Sequence, residues 1–525
     1  MKTIFNMTGK FASLFLFAAF LFFSCSDDVL DSVNKDKDHP KSVDSKYILA
    51  EVITSTASRN IGGDLNTYLS AYIEHEVGID NQLYRAETRM NEPSNASTFN
   101  NVWESLYTAL RDARIVIDKC SEGGAQEGNV VTRGIAKVLA AYNSALITDM
   151  FGDAPWAEAA LVLPNGLPVY MQPKIDKQED IYKEIFAYLD AAITDLQGTD
   201  SHFSGSVGNF DLLYNGDKAK WLKLAYGLKA RYTLHLLAKS ANKSADLAKI
   251  LEYVSQSFAS VADQAALDIY DAVNYNPLFD FQWSRDGLAA SESMAEKLMD
   301  RNDPRLRRVF VDAYWAQMEG PDDDEFFMAP NGTPEQIRYY YNTSIFVYSQ
   351  VAPTMFMSYH ELLFIKAEAL ARQGNLDEAK EVLRKAVVAG IANTEVSVSA
   401  AFDAPELEDW GGLDETTDAI SKEEAEEYFD TEVEPLFDES PLKEIMIQKY
   451  LAFFGASGES TEAYNDVRRL KALGEDFITL ANTRRFPLRC GYGNSDTTTN
   501  PNVKNAFGDG QYVYSENVWW AGGSR

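Results

Sequence analysis

The chain has 525 residues and a formal charge of −31, from 79 Asp and Glu against 48 Lys and Arg. Nucleic acid is excluded as a partner, because binding a polyanion depends on Lys and Arg displacing its counterions, and no basic face is concentrated anywhere in the sequence. A hydrophobic content of 46% with 12% aromatic residues is too rich for a disordered chain, and the three cysteines, Cys25, Cys120 and Cys490, form no CxxC pair and no disulfide scaffold.

Lys2 and Lys10 precede an apolar run from Phe11 to Phe23. At 1.5 Å per residue the run spans about 20 Å, short of the roughly 30 Å hydrocarbon core, so it reads as the h-region of a signal peptide and not as a membrane span. It ends in Leu21-Phe22-Phe23-Ser24-Cys25, which resembles a bacterial lipoprotein cleavage box whose cysteine is lipidated, although Phe22 and Phe23 replace the usual leucine and small residue. An ordinary signal peptide cut near Ser24 is the alternative. Ser26-Asp27-Asp28 resembles the acidic export signal that sends Bacteroidetes lipoproteins to the outer face of the outer membrane. Residues 1–24 are read as the signal peptide, and 25–46 as the lipidated Cys25 with a polar, flexible tether reaching about 25 Å. Loss of Lys2 and Lys10 takes the charge from −31 to −33.

Residues 47–525 read as one body whose recurring periodicity is helical. Trp103, Leu106, Tyr107, Leu110, Ala113 and Ile117 fall on one face at spacings of three and four. Ile135, Val138, Leu139, Tyr142 and Leu146 make a second stripe, Trp221, Leu224, Ala225, Leu228 and Tyr232 a third, and Ile447, Leu451 and Phe454 a fourth. Leu363 to Ala386 reads as a tetratricopeptide repeat with Gly374 at its turn, and Ala145, Gly152 and Ala157 echo it. Such repeats bury their apolar faces only by stacking. The reading is an all-α superhelix, mainly helical over 47–255 and 355–480, with at most a minor β-hairpin. Residues 256–354 form a loop-rich segment, and loops of that length are usually functional. Residues 401–436 hold fourteen Asp or Glu and one Lys, and read as a solvated acidic insert.

Several segments together resemble the SusD/RagB-like outer-membrane lipoproteins of Bacteroidetes glycan-utilisation systems. They are Trp103 to Ile117; Phe151-Gly152-Asp153-Ala154-Pro155-Trp156; the helix from Trp221 to Arg231, with Tyr226-Gly227 where Asn-Ser is commoner; Asn276-Pro277; Asp303-Pro304-Arg305-Leu306; Ser358 to Ala369; Ile447 to Tyr450; and Tyr464 to Arg469. They run in family order over nearly the whole mature chain. The resemblance implies a tetratricopeptide-like body that docks on a SusC-like TonB-dependent transporter, captures its substrate and performs no catalysis. Gly152 to Pro155 should end a helix and turn the chain. Asp303 to Arg305 should cap and turn. Arg231, Arg468 and Arg469 should pair with carboxylates such as Asp466 or Glu368.

Catalytic motifs are missing. His75-Glu76 and His360-Glu361 open like HExxH, but Ile79 and Phe364 stand where the second zinc ligand belongs, and no phosphate loop, nucleophile elbow or dinucleotide fingerprint occurs, so neither metal nor cofactor is expected. Asp322-Asp323-Asp324-Glu325 reads as a solvated loop, since four adjacent acids repel one another and have no apolar wall. A sugar needs flat rings for its C–H face and polar groups for its hydroxyl rim. Two segments carry both: Asp80, Asn81, Tyr84 and Arg85, and the loop-rich segment with Trp283, Arg285, Trp315, Tyr339, Tyr340 and Tyr341. The three consecutive tyrosines cannot all face inward. The leading function is non-catalytic capture of oligosaccharides at the cell surface. Peptide cargo on the same architecture, a helical-repeat glycosidase and a protein-only adaptor are the alternatives.

Overall fold

The first three apolar stripes become helices as their period predicts. The fourth stops at Ala452, two residues short of Phe454, and the repeat echo fails at Ala157, which lies in a bend after Gly152. The structure, a computed structural model, describes residues 43–93, 98–315 and 327–525. The signal peptide, Cys25, most of the tether, Asp322 to Glu325 and Phe326 lie outside the described residues. Ser45–Arg525 fold as one unit. In chain order its first helices are α1 (Ser45–Ser55), α2 (Asp64–Tyr72), α3 (Asn81–Thr88), α4 (Asn100–Cys120), α5 (Val130–Phe151), α6 (Gln178–Leu196), α7 (Lys218–His235) and α8 (Lys243–Ser255). The short α9 (Pro277–Arg285) and α10 (Glu292–Met299) follow, then α11 (Tyr359–Arg372), α12 (Leu376–Phe402), α13 (Lys422–Tyr428), α14 (Glu434–Glu439), α15 (Pro441–Ala452) and α16 (Ser460–Leu473). No helix among the described residues is long and apolar enough to cross a membrane.

Helices pack on their neighbours in sequence: α4 on α5, α5 on α6, α6 on α7, α7 on α8, then α8 on α11 and α11 on α12 and α15. This is the stacking that repeat helices require. Gly374, at φ 83°, makes the turn between α11 and α12, and Ala367, Leu370, Ala379, Leu383 and Ala386 are buried between them. Gly152 ends α5 at φ 76°, where a Cβ would lie 2.8 Å from the Arg525 carbonyl oxygen. Asp153 then accepts the Gln178 N–H at 2.8 Å, fixing the start of α6.

The strand content is small, but it is not one hairpin. Among the described residues four separate antiparallel pairs form: β1 (Glu76–Gly78) with β5 (Leu288–Ala290), β2 (Ala154–Pro155) with β3 (Ile175–Asp176), β4 (Ala265–Leu267) with β8 (Thr354–Met357), and β6 (Phe310–Val311) with β7 (Thr343–Ser344). β1–β5 ties the loop-rich segment to the turn between α2 and α3, and β4–β8 ties it to the start of α11. β6–β7 closes within the segment and β2–β3 braces the chain between α5 and α6, satisfying backbone groups that a buried loop would strand. The acidic stretch also differs from a solvated insert. Tyr428, Phe429, Val433 and Phe437 are buried, and its acids meet bases of neighbouring elements: Glu424 with Arg307 at 2.8 Å, Glu415 with Arg308 at 3.0 Å, Glu434 with Lys380 at 3.1 Å, and Asp430 with Arg384. Asp303 turns the chain as expected, and it also pairs with Arg305 at 2.6 Å while accepting the Tyr428 hydroxyl at 2.9 Å.

Candidate functional site

The loop-rich segment organises around α9. Asn276 starts it: the side-chain oxygen accepts the Leu278 N–H at 2.9 Å, Pro277 occupies the first turn, and the amide reaches the Ala352 and Ala456 carbonyls at 2.8 and 3.1 Å. A helix begun there puts Tyr275, Phe279 and Trp283 four residues apart on one side. Their rings form a ladder, with Tyr275 to Phe279 at 5.4 Å and Phe279 stacked on Trp283 at 5.6 Å and 13°. Trp315 stacks next at 6.1 Å and 21°, and Trp410 meets Trp315 edge-on at 6.3 Å. Tyr314 packs against both Trp283 and Trp315, backed by Tyr348. The ladder climbs from the fully buried Phe279 through the half-buried Trp283 and Trp315 to Trp410, which is 55% exposed. A ladder ending in solvent can cover the apolar face of a ligand.

A polar group gathers at the C-terminal end of the same helix. α9 stops at Asp286, whose φ is 47° and whose N–H bonds the Gln282 carbonyl at 2.8 Å. The Gln282 side chain then holds both backbone groups of Leu288 and sets β5 against β1. β1 leads directly into Asp80 at the start of α3. Asp80 caps no backbone amide with its side chain and instead takes Arg338 at 2.6 Å. The Tyr339 hydroxyl donates to Asp286 at 2.7 Å. Burial raises the Asp286 carboxyl above its ordinary range, and the Asp80 charge adds to this, against the opposing Tyr339 bond and Arg338 charge. Asn81, Asp286 and Tyr339 all take left-handed backbone, at φ 42°, 47° and 59°. For a tyrosine that conformation is strained, and such strain concentrates at ligand sites.

The ten binding candidates therefore separate. Trp283 and Trp315 share the ladder, while Asp80, Asn81 and Tyr339 gather at the polar end of α9. Arg285 is exposed, its guanidinium 5.2 Å from the Phe281 ring centre, and it lines a cleft of about 280 Å³ with Arg59, Asp64 and Asp280. Tyr84 and Arg85 line a different cleft of about 230 Å³ with Tyr68, Met90 and Pro93. Tyr340 is 47% exposed and stands edge-on to Phe327, whereas Tyr341 is buried, stacks on Phe327 and accepts the Glu335 N–H. The consecutive tyrosines thus split as backbone geometry demands. Sequence reasoning missed Arg338 and Trp410. Arg338 adjoins the tyrosine run and was within reach; Trp410, a lone tryptophan in the acidic stretch, was the available signal for the other.

The HExxH-like words are taken up by structural contacts. His75 is buried between Ser460 at 2.9 Å and the Tyr450 carbonyl at 3.1 Å, and burial lowers its pKa to about 3. His360 bonds Glu459 at 3.2 Å, and Glu361 is taken by Arg231. Cys120 and Cys490 are both buried and free, and burial pushes the Cys490 thiol up to about 12, far from a reactive thiolate.

Comparison with known proteins follows the same outline. A family model described as SusD-like, starch-binding and associating with the outer membrane matches residues 37–492. A SusD/RagB family protein from Bacteroides thetaiotaomicron VPI-5482 shares 53% identity, with 92% of this chain and 100% of that one aligned at a TM-score of 0.84. A chitin-binding protein at 21% identity (90% of this chain, 100% of that one, TM-score 0.64) and a chitin-binding SusD homolog from Flavobacterium johnsoniae at 16% (90% and 98%, TM-score 0.61) share the fold. No curated protein matches the chain. A helical stack stitched by short strand pairs, the family words in order along it, and a match over most of its length make this chain a member of the SusD-like family.

Proposed function

We propose that the protein is a non-catalytic receptor, held at the cell surface by lipid on Cys25, which captures oligosaccharides and passes them to a TonB-dependent outer-membrane transporter. The observation that carries this reading is the ladder from Phe279 to Trp410, solvent-facing at one end, with Asp80, Asp286, Arg338 and Tyr339 gathered at the end of the same helix. Rings match the C–H face of a pyranose, and charged groups match its hydroxyls. A non-catalytic role is supported by the starch-binding description of the family and by the lack of any HExxH, nucleophile-elbow or phosphate-loop motif in the sequence. The chitin-binding neighbours and the starch-binding description of the family favour a glycan over a peptide.

The test is a binding screen of soluble residues 26–525 against plant, host and microbial polysaccharides, with product release monitored. Trp410→Ala and Trp315→Ala should each weaken glycan binding by about tenfold, the effect of losing a stacking contact of about 1 kcal/mol or slightly more, and Trp410→Ala should leave the melting temperature unchanged. Binding of peptides alone would replace the cargo, and released sugar would make the protein an enzyme. Co-purification of an outer-membrane transporter with the anchored chain tests the delivery step.

A further inference from the structure

The surface changes character where the described chain begins. Tyr47, on the first turn of α1, is 48% exposed, and its ring meets that of Phe210, 40% exposed, edge-on at 4.7 Å. The Lys46 ammonium stands 5.4 and 5.7 Å from the two ring centres and donates to the Ser204 carbonyl at 3.3 Å. It thereby ties the helix start to a loop whose tip is Phe203, 95% exposed, with Leu212 also exposed nearby in sequence. The loop does not need these apolar side chains for its shape. Asn129 holds Ser204 and Gly205, and Asp211 accepts the N–H groups of Leu213, Tyr214 and Gly216. Two acids next to this loop are likewise turned onto donors: Asp200 takes Val131 and Thr132, and Asp217 caps α7. An acidic protein therefore shows, at this one end, exposed rings with an ammonium between them.

The sequence says what lies nearest. Twenty residues separate Cys25 from Lys46, a coil reach of about 25 Å. A lipid on Cys25 would hold the patch at a root-mean-square distance of about 25 Å from the outer leaflet, at an effective concentration in the millimolar range, so that weak contacts suffice to orient the body. Aromatic rings beside a lysine are the side chains that settle at the headgroup level. We propose that Tyr47, Phe203, Phe210 and Leu212, with Lys46, form a lipid-contacting face that seats the body against the membrane at the root of its tether. This rests on the anchored-receptor reading above.

The test replaces the acyl chain by an N-terminal hexahistidine on residues 26–525, held on vesicles of phosphatidylethanolamine and phosphatidylglycerol doped with a nickel-chelating lipid. Amide hydrogen exchange on the vesicle should slow by on the order of tenfold across residues 45–48 and 202–212 relative to the free chain. Tyr47→Ser/Phe203→Ser should abolish the slowing without changing the melting temperature, since both side chains are exposed. Equal exchange on and off the vesicle overturns the lipid contact. Slowing that appears only after the transporter is added also overturns it, and makes the patch a protein-docking surface. The tag makes these outcomes independent of acylation; the anchor reading fails separately if protein recovered from cells carries no acyl mass on Cys25.

Discussion

Arg231, 3% exposed, donates from Nε and Nη2 to the equally buried Glu361 at 2.6 and 2.5 Å, and from Nη2 to the Phe356 carbonyl at 2.9 Å. Glu361 has no second base within ion-pair distance among the described residues. Removing the arginine therefore leaves Glu361 a desolvated carboxylate, whereas removing both partners leaves only Glu462, 3.8 Å from Arg231, short of a base, and Glu462 keeps His235 at 3.0 Å. Arg231→Met should cost about 3 to 5 kcal/mol, and Arg231→Met/Glu361→Leu should recover part of it, the remainder being the loss to Glu462. Urea unfolding of the two variants decides this, and equal instability would mean that the pair is held by something other than charge compensation. That Arg231 would meet a carboxylate was legible in the sequence, because a base inside an apolar helical stripe has few other ways to be buried. Which carboxylate was not legible. Glu368 and Asp466 belong to Arg469, and Arg468 takes Asn465 and the faces of Tyr464 and Trp520 instead. The candidate site shows the same limit: Trp283 and Trp315 were found as aromatics among polar residues, but their meeting with Trp410 depends on a fold that carries position 410 across to position 315.

Between α12 and α15 the approach is set by one glycine. A Cβ built on Gly390 would lie 2.9 Å from the Ala452 Cβ, closer than side chains tolerate, so glycine here is a spacing residue despite its poor helix propensity. Gly390→Ala gains propensity but drives the helices apart; the net should be a loss of about 1 to 2 kcal/mol, and Gly390→Val should lose more. Ala452→Gly in the Gly390→Ala background should restore part of the loss, and a double-mutant cycle on thermal melts measures the coupling. Additive effects would show that the helices do not touch at this point. Helices such as these were readable because their period is local: Trp103, Leu106 and Leu110 mark one face without reference to any other segment. The strand pairs were not readable, because two- to four-residue strands carry no alternation to detect. Their partners are also remote, as Glu76 opposite Ala290 shows. The acidic stretch misled for a related reason. Its charges described its outer face, while Tyr428, Phe429, Val433 and Phe437 set the face it buries.

Across the whole molecule, buried titratable groups pull stability in opposite directions with pH. Burial raises Glu76 to about 8; its Oε1 takes the Ser344 hydroxyl and its Oε2 has no hydrogen-bond partner. Burial also raises Glu87, to about 7, against the Arg89 charge and the Gly332 N–H that its carboxylate accepts at 2.6 Å. Folded chains thus hold protons that unfolded chains have lost, so this stability is complete below about pH 4.5 and disappears as pH rises through about 7 to 8. For His235 burial alone would lower the pKa, yet Glu462 and Asp149 outweigh it and raise it to about 9; its contribution is complete below pH 6.5 and is lost as pH rises through about 9. Glu368 and Glu462 run the other way. Burial would raise both, but Arg469 and Arg372 hold Glu368, and Arg231 and His235 hold Glu462, well below the ordinary range, so their contribution is lost as pH falls below about 4.5. Neutral His75, lowered to about 3, works against the raised carboxyls between about pH 3 and 6.5 but is outnumbered. Stability should therefore peak at about pH 4.5 to 5 and decline toward pH 9, each pH unit of differential protonation being worth about 1.4 kcal/mol per group. Net charge reinforces the decline, since a chain at −31 gains self-repulsion as further groups ionise. Salt separates the two causes, because it screens surface repulsion and leaves buried groups nearly untouched. Calorimetric melts from pH 4 to 9 at low and high salt should keep most of the alkaline decline at high salt, and Glu76→Gln should flatten it between about pH 5 and 8. A decline that salt abolishes, or that Glu76→Gln leaves unchanged, would transfer the effect from the buried carboxyls to the surface.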